Sequence, residues 1–221
     1  DQNGIAVEGL VAPEKLNYKL YDTHAEIWSY TGEGAFLLPA QISGKPVTKI
    51  ANGAFANFTG TLYIGKGNTY GLSYAKEAGL TYTEIAAING ETGYATVAEA
   101  LSAYSSGVVQ LLTDAGNITV AKDTYLDLNG FDVADATVTG GTLYVMDSQT
   151  DDFTVADGNY GKITGKISGA VKAVPADAAC AENGYLQVTQ EDGISFHCIA
   201  MDIYNVTLRP DVAGVYYDGF F

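Results

Sequence analysis

The chain has 221 residues, with 11 lysines and arginines against 26 aspartates and glutamates, so its formal net charge is −15. Such an acidic chain repels the phosphates of nucleic acids and the surface of anionic membranes, and both are excluded as partners. Its 47% hydrophobic content, 26 glycines and 16 tyrosines are typical of a turn-rich β protein with a buried core, which excludes disorder. The length is sufficient for two or three small domains.

The given sequence shows no pattern of a signal peptide at its start and no membrane span along its length. The start, DQNGIAVEGL, lacks the basic and hydrophobic regions of a signal peptide, and no apolar run approaches the roughly 20 residues of a membrane span. The end, VTLRPDVAGVYYDGFF, reads as strand and has no polar tail. We therefore expect a processed or trimmed start, no membrane insertion of these residues, and an origin in a longer chain, with the signal peptide and any anchor outside these residues.

The segment ISGKPVTKIANGAFANF, residues 42–58, joins three structural signals in a fixed order. A glycine and a proline predict a turn at residues 44–46, and valine and isoleucine predict a short extended strand at residues 47–50. Ala54 and Phe55 then predict a small buried turn that fills the gap between neighbouring strands. This order indicates a repeat architecture.

Together with the residues around it, this segment resembles the BspA-like leucine-rich repeats found in surface proteins of gut and oral bacteria. The resemblance covers residues 18–85. Ala25-Glu26-Ile27 corresponds to the opening strand of the family, Leu38-Pro39 to its usual IP step, and residues 73–85 to the helix and final strand that cap such arrays. It implies an array of about two repeats, and we assign residues 1–88 to this unit.

The character of the sequence changes at the start of a second unit, assigned to residues 89–169. Thr96 and Glu99 have the spacing of a capping box, which predicts a helix over residues 97–104, and Gly107 ends it. Turn residues then separate a series of short β runs. The predicted strands are residues 108–112, 118–120, 125–128, 142–146, 153–155 and 163–167.

This second unit resembles bacterial surface-protein segments that form short β-helices or β-rolls, with an LDLNG turn after a strand. The resemblance covers residues 90–167 and implies that Asn129-Gly130 makes a corner. Leu126 and Leu128 are then expected to point inward, whereas Tyr125 and Asp127 point outward. The resemblance implies a structure and identifies no catalytic residue.

The third unit, residues 170–221, begins with a small-residue linker and then turns to strand. Strands are predicted over residues 185–188, 194–203 and 206–208, and the segment resembles a small β-rich module that follows in similar surface proteins. Cys180 and Cys198 either form a disulfide or stay as two buried thiols, and the sequence leaves both open. The expected fold class is mainly β with a few short helices.

No group of residues in the sequence has the pattern of an active site. Ser195 and His197 stand at i and i+2 on a predicted strand, without the sharp turn that exposes a nucleophile, so a triad with Asp202 is rejected. The aspartates of the second unit lack the spacing of a calcium loop and are interpreted as solvated turn residues. These aspartates are Asp127, Asp132, Asp135, Asp147, Asp151, Asp152 and Asp157. We expect no enzyme, metal or cofactor.

Exposed aromatic side chains are the remaining candidates for ligand contact, with packing as the alternative interpretation. The candidates are Trp28, Tyr30, Tyr63, Tyr70 and Tyr74. The leucine-rich-repeat resemblance implies a secreted or cell-surface bacterial protein that acts in adhesion, protein–protein interaction or structural display. A carbohydrate-binding module is the alternative, and a polysaccharide-processing enzyme ranks third. The expected partner is a host or bacterial surface protein, or a glycan.

Overall fold

The computed structural model describes residues 5–6, 15–43, 45–90, 92–150, 160–175, 185–190 and 192–198. This part of the chain is mainly β, with several sheets and two α-helices, as expected from the sequence. The elements of the first half are β1 (Ile5–Ala6), β2 (Leu16–Leu20), β3 (Ala25–Tyr30), β4 (Ala35–Leu38), β5 (Gln41–Ile42), β6 (Lys45–Ile50), β7 (Thr61–Gly65), α1 (Thr69–Glu77) and β8 (Tyr82–Ile85).

The remaining elements are mostly strands of two to six residues. They are β9 (Ala87–Asn89), β10 (Thr92–Tyr94), α2 (Val97–Ala103), β11 (Val109–Leu111), β12 (Ile118–Val120), β13 (Thr124–Asp127), β14 (Ala136–Val138), β15 (Leu143–Met146), a 3₁₀ turn η1 (Ser148–Thr150), β16 (Lys162–Ile163), β17 (Ile167–Ser168), β18 (Val171–Ala173), β19 (Tyr185–Gln190) and β20 (Gly193–Cys198).

Two sheets build the first part of the molecule. One has the order β2-β3-β6-β5, in which β3 and β6 are parallel, and the other consists of the parallel strands β4, β7 and β8. Tyr30, Phe36, Phe55 and Phe58 fill the space between them, and the rings of Tyr30 and Phe36 stack at 4.1 Å. Ala54 and Phe55 are 4% and 2% exposed, so the predicted buried turn is confirmed.

A helix and a strand complete this first part, as predicted for residues 73–85. The helix α1 begins earlier, at Thr69, because Asn68 caps it: the Gly71 N–H donates to Asn68 Oδ1 at 2.9 Å. The Asn68 side chain also donates to the carbonyl of Leu38 at 3.2 Å, which ties the cap to the end of β4. The strand β8 then adds to the parallel sheet.

The second part stacks successive passes of the chain in parallel register. Strands β11, β13, β15 and β18 pair in parallel, and so do β12, β14 and β17. A third line of parallel bridges joins Ala115 to Val133 and Val133 to Ile163. Leu126, Leu128 and Val145 point into the resulting core and are fully buried. The inward direction predicted for Leu126 and Leu128 is therefore confirmed.

The helix α2 covers the start of this stack and carries the predicted capping box. The Glu99 N–H donates to Thr96 Oγ1 at 3.2 Å, and the Thr96 N–H donates to Glu99 Oε2 at 3.0 Å. Asn129 and Gly130 both have positive φ, 50° and 78°, which confirms the predicted corner.

The single strand predicted over residues 163–167 is wrong. Ile163 ends β16 and Ile167 begins β17, and the chain turns between them. Gly165 lies at this turn, where a Cβ atom would come within 2.2 Å of Asp135 Oδ1, so the close approach of the two passes requires glycine. The strands predicted over residues 153–155 and 206–208 lie outside the described residues.

The last described strands, β19 and β20, form an antiparallel hairpin that pairs with β16. This agrees with the strand predicted over residues 185–188 and with the first part of the one predicted over residues 194–203. Phe196 is 2% exposed and packs into the core of the second part. Cys180 lies outside the described residues, so the possible disulfide stays a prediction.

A separate apolar cluster joins the first and second parts of the molecule. We call this set of buried side chains the junction cluster; its members are Leu37, Tyr63, Ile85, Ile88 and Leu112. The Gly67 N–H also donates to the carbonyl of Leu112 at 2.7 Å across the same junction. The two stacks of strands therefore share buried apolar surface.

Candidate functional site

Trp28 is the most exposed large hydrophobic residue of the described chain, at 47%. It lies at a β-bulge: Asn17 pairs with Ser29 and Tyr18 pairs with Ile27, so Trp28 has no partner residue on β2. The bulge breaks the regular alternation of β3 after Trp28: Ile27 and Tyr30 are both buried, and Trp28 and Ser29 lie between them. The Trp28 indole Nε1–H is directed toward Glu26 Oε2, at 3.4 Å.

Glu26, which lies next to the indole N–H, is also close to two basic side chains. Lys49 Nζ lies 3.2 Å from Glu26 Oε1, and His24 Nε2 lies 3.8 Å from the same oxygen. The His24 ring stacks on Tyr21 with the ring centroids 4.5 Å apart. We call these five residues the Trp28 surface.

The charge of Glu26 is stabilised at this surface. Partial burial raises the pKa of its carboxyl group, but hydrogen bonds from Lys49 and Trp28 and the positive charge of Lys49 lower it by more, so the pKa lies below its usual value. Glu26 is therefore a fixed anionic acceptor beside an exposed aromatic ring.

The contacts of the other aromatic candidates are with groups other than Trp28. Tyr70 is 39% exposed, and its hydroxyl accepts the Ile50 N–H at 3.1 Å. Tyr74 is half-buried, donates to the carbonyl of Ala51, and has a pKa raised by burial. Tyr30 and Tyr63 are 2% and 7% exposed and lie in two different apolar clusters.

The aspartates of the second part act mainly within the fold. In six of them a carboxylate oxygen accepts a backbone N–H from a neighbouring pass of the chain. The donor and acceptor pairs are Asp132 to Asp114, Thr142 to Asp123, Ser148 to Asp127, Lys162 to Asp132, Lys166 to Asp135 and Gly130 to Asp147. Backbone groups left unpaired at the turns are satisfied in this way.

The interpretation of Asp127 and Asp147 as solvated turn residues is wrong, and so is the outward exposure predicted for Asp127. They are 5% and 1% exposed. Asp127 does lie on the side opposite to Leu126, but the turn at Ser148 covers it, and the Asn129 and Ser148 N–H groups donate to its Oδ1 at 2.9 Å. Asp151, Asp152 and Asp157 lie outside the described residues.

Asp147 has the most perturbed carboxyl group in the described chain. Burial raises its pKa to about 7, and the Asp127 charge adds to the rise, while hydrogen bonds from the Gln149, Gly161 and Gly130 N–H groups oppose it. A carboxyl group with such a pKa is a candidate acid or base. Its oxygens are directed at backbone N–H groups, which indicates a structural role.

The rejected triad gains no support from the described atoms. Ser195 is fully buried, and its hydroxyl has no hydrogen-bond partner in the described part of the chain. A buried hydroxyl of this kind is not open to a substrate. Asp202 lies outside the described residues.

A cleft lies between the end of β4 and the corners of the second stack. We call it the junction cleft, and its volume is about 210 Å³. All residues that line it are uncharged. Those used below are the polar Gln110, Asn129, Ser148 and Gln149 and the apolar Leu112 and Phe131.

Hydrogen bonds join the polar groups of the cleft in one network. Gln110 Nε2 donates to Asp127 Oδ2 at 2.7 Å, behind the cleft, and Gln149 Nε2 donates to Asn129 Oδ1 at 2.6 Å. Asn129 Nδ2 donates to the carbonyl of Leu111 at 2.8 Å. Gln110 Oε1 is buried and has no partner among the described groups.

Sequence reasoning did not find this cleft, since its polar residues come from three separate passes of the chain. Gln110 and Asp127 are neighbours because β11 pairs with β13 in parallel register. No local motif in the sequence predicts that pairing.

Within the described ranges no three histidine, cysteine, aspartate or glutamate side chains are grouped to hold a metal ion. Neither of the two described helices has the length and apolar character to cross a membrane. Comparison with known proteins found no family, no curated protein and no solved structure that matches the chain.

Proposed function

We propose that the chain is a non-enzymatic binding module of a secreted or cell-surface bacterial protein, which attaches through the Trp28 surface to a protein on another cell or in the host. The observation that carries the proposal is the exposed indole of Trp28, which lies at a bulge next to the Glu26–Lys49 ion pair. Tryptophan dominates the binding energy of many protein interfaces, where polar and charged groups surround it.

The arrangement of strands supports the architecture that the sequence resemblance implies. Parallel pairing of β3 with β6, and of β4 with β7 and β8, suits a short leucine-rich-repeat array. Three lines of parallel pairing in the second part suit a β-helix or β-roll. Stacked units of both kinds present rigid surfaces to macromolecules, which favours display and adhesion.

The use of the aspartates supports a role other than catalysis. Hydrolysis of a glycosidic bond needs two carboxyl groups that face one substrate groove. In this chain the buried carboxylates Asp127 and Asp147 accept backbone N–H groups within the fold. The polysaccharide-processing hypothesis therefore stays the least favoured.

Glycan binding is the second candidate, favoured by the same indole. An exposed aromatic face next to a fixed carboxylate can stack on a sugar ring while the carboxylate accepts its hydroxyl groups. Both candidates use the Trp28 surface but differ in the chemical class of the partner.

The test is saturable binding of the fluorescently labelled full chain to intact bacterial and epithelial cells, after either protease digestion or periodate oxidation of the cell surface. We expect binding that protease abolishes and periodate leaves intact. Loss on periodate oxidation alone would replace the protein partner with a glycan. Binding that survives both treatments, or no saturable binding, would overturn the proposal.

A further inference from the structure

We propose that the junction cleft is a second binding site, which takes a single neutral sugar ring. Gln110 has a buried side-chain oxygen at this cleft. The Nε2 group of this side chain is already directed at Asp127 and Ser148, which fixes the orientation of the amide and leaves Oε1 without a donor. Gln110 lines the cleft but Oε1 itself is enclosed, so a ligand hydroxyl group supplies that donor once the side chains around Oε1 move aside.

The charges around the cleft select the class of ligand. None of its lining residues is charged, and the Asp127 carboxylate behind Gln110 disfavours an anion. The oxygens of Asp127 already accept the Asn129 and Ser148 N–H groups and the Gln110 amide, so a cation finds no free carboxylate. A neutral ligand remains.

The lining of the cleft then distinguishes a sugar from an apolar molecule. Gln110, Asn129, Ser148 and Gln149 offer amide and hydroxyl groups, which an apolar ligand would leave unpaired at a cost. Leu112 and Phe131 offer an apolar wall, which suits the C–H face of a sugar ring. The volume of about 210 Å³ is below the roughly 300 Å³ at which sites for drug-sized ligands begin, so one ring fits and a chain does not.

This site goes beyond the proposed protein-binding function and does not rest on it, because it uses none of the residues of the Trp28 surface. The two can therefore fail separately. The experiment is saturation-transfer NMR on the full chain with D-glucose, D-galactose, D-mannose and N-acetyl-D-glucosamine. D-glucuronic acid and D-glucosamine serve as charged counterparts.

We expect saturable binding of at least one neutral sugar, with a dissociation constant of about 1 mM. The charged counterparts should bind at least about fivefold more weakly. Gln110→Leu and Gln149→Ala should each weaken binding about tenfold, because each removes a polar group from the cleft. Trp28→Ala should leave the affinity unchanged.

A further variant keeps the polar network intact. Ala40 is exposed and lines the cleft, so Ala40→Trp adds bulk there without changing Gln110, and this variant should abolish binding. This variant decides the matter if Gln110→Leu fails to fold. Absence of binding by all four neutral sugars would overturn the proposal, as would binding that persists in Ala40→Trp or is lost in Trp28→Ala.

Discussion

Among the described residues, Asp147 is the one whose protonation has the largest expected effect on stability. Its pKa rises from an ordinary 3.8 to about 7 on folding, so between about pH 4 and pH 7 the folded state binds more protons than the unfolded state. The free energy of unfolding therefore falls as pH rises through this range, by at most about 4 kcal/mol from this residue.

Asp147→Asn should remove that part of the pH dependence, since the amide stays neutral at every pH. Urea denaturation between pH 4 and pH 8 measures it. The matched control is Asp123→Asn, which changes an exposed carboxylate that also accepts a backbone N–H. An Asp147→Asn protein with the slope of the wild type would contradict the assignment.

Gly32 is expected to be intolerant of any side chain, for a reason that lies in Tyr30. A Cβ atom at Gly32 would come within 2.0 Å of the Tyr30 hydroxyl oxygen, and the Tyr30 ring is held by its stack on Phe36. Gly32→Ala should therefore destabilise the fold by roughly 1–3 kcal/mol, measured by thermal or urea unfolding. Gly116→Ala is the matched control, because a Cβ there meets nothing within 4 Å. Equal stability of the two variants would refute the explanation.

For single residues, the sequence predicts which way a side chain points better than it predicts which residues enclose that side chain. The alternation along β13 places Leu126 inward and Asp127 on the other side, but it does not show that Ser148, from the next pass, covers Asp127. The sequence suggests that Tyr30 is a surface aromatic. It is buried because the rings of Phe36 and Phe55, which belong to later segments, pack against it. Contacts between passes decide both cases.

At the scale of elements, the start of α2 depends on its capping box. Thr96→Ala removes the acceptor for the Glu99 N–H and should cost about 1 kcal/mol in the free energy of unfolding. The comparison is Ser102→Ala on the exposed face of the same helix, which should be neutral or slightly stabilising. A Thr96→Ala protein as stable as the Ser102→Ala protein would show that the cap contributes nothing.

The elements that could be predicted are those with a local cause. The capping box predicts α2, and glycine-bounded β runs predict most strands of the second part. The run at residues 163–167 failed because its apolar residues serve two different lines of pairing, with Gly165 between them. The pairing of strands depends on contacts between passes of the chain that are distant in sequence. No local sequence pattern predicts it.

At the scale of the whole molecule, the junction cluster should couple the two stacks of strands. Because Leu37, Tyr63 and Leu112 bury apolar surface shared by both parts, we expect the wild-type chain to unfold in one calorimetric transition. Leu112→Ala should cost about 2–4 kcal/mol and lower the transition temperature. Leu20→Ala, at a position 40% exposed, should change it little. Two separate transitions in the wild-type protein would contradict the coupling.

The acidic, β-rich character of the molecule was accessible from composition, turns and short β runs, whereas stacking of the strands was implied only by the family resemblances. The junction cleft was not, because its polar groups meet only when three passes of the chain align with the end of β4. Of the aromatic candidates, Trp28 and Tyr70 are exposed and Tyr30 and Tyr63 are not, a division that the sequence alone could not make.

The central claim is that the Trp28 surface binds a partner, and the most direct measurement compares two variants in equilibrium binding to cells. Trp28→Ala removes the indole, whereas Tyr125→Ala removes an aromatic ring of similar exposure, 37%, on the second stack. We expect at least about tenfold weaker binding by Trp28→Ala and unchanged binding by Tyr125→Ala. Wild-type affinity in the Trp28→Ala protein would contradict it.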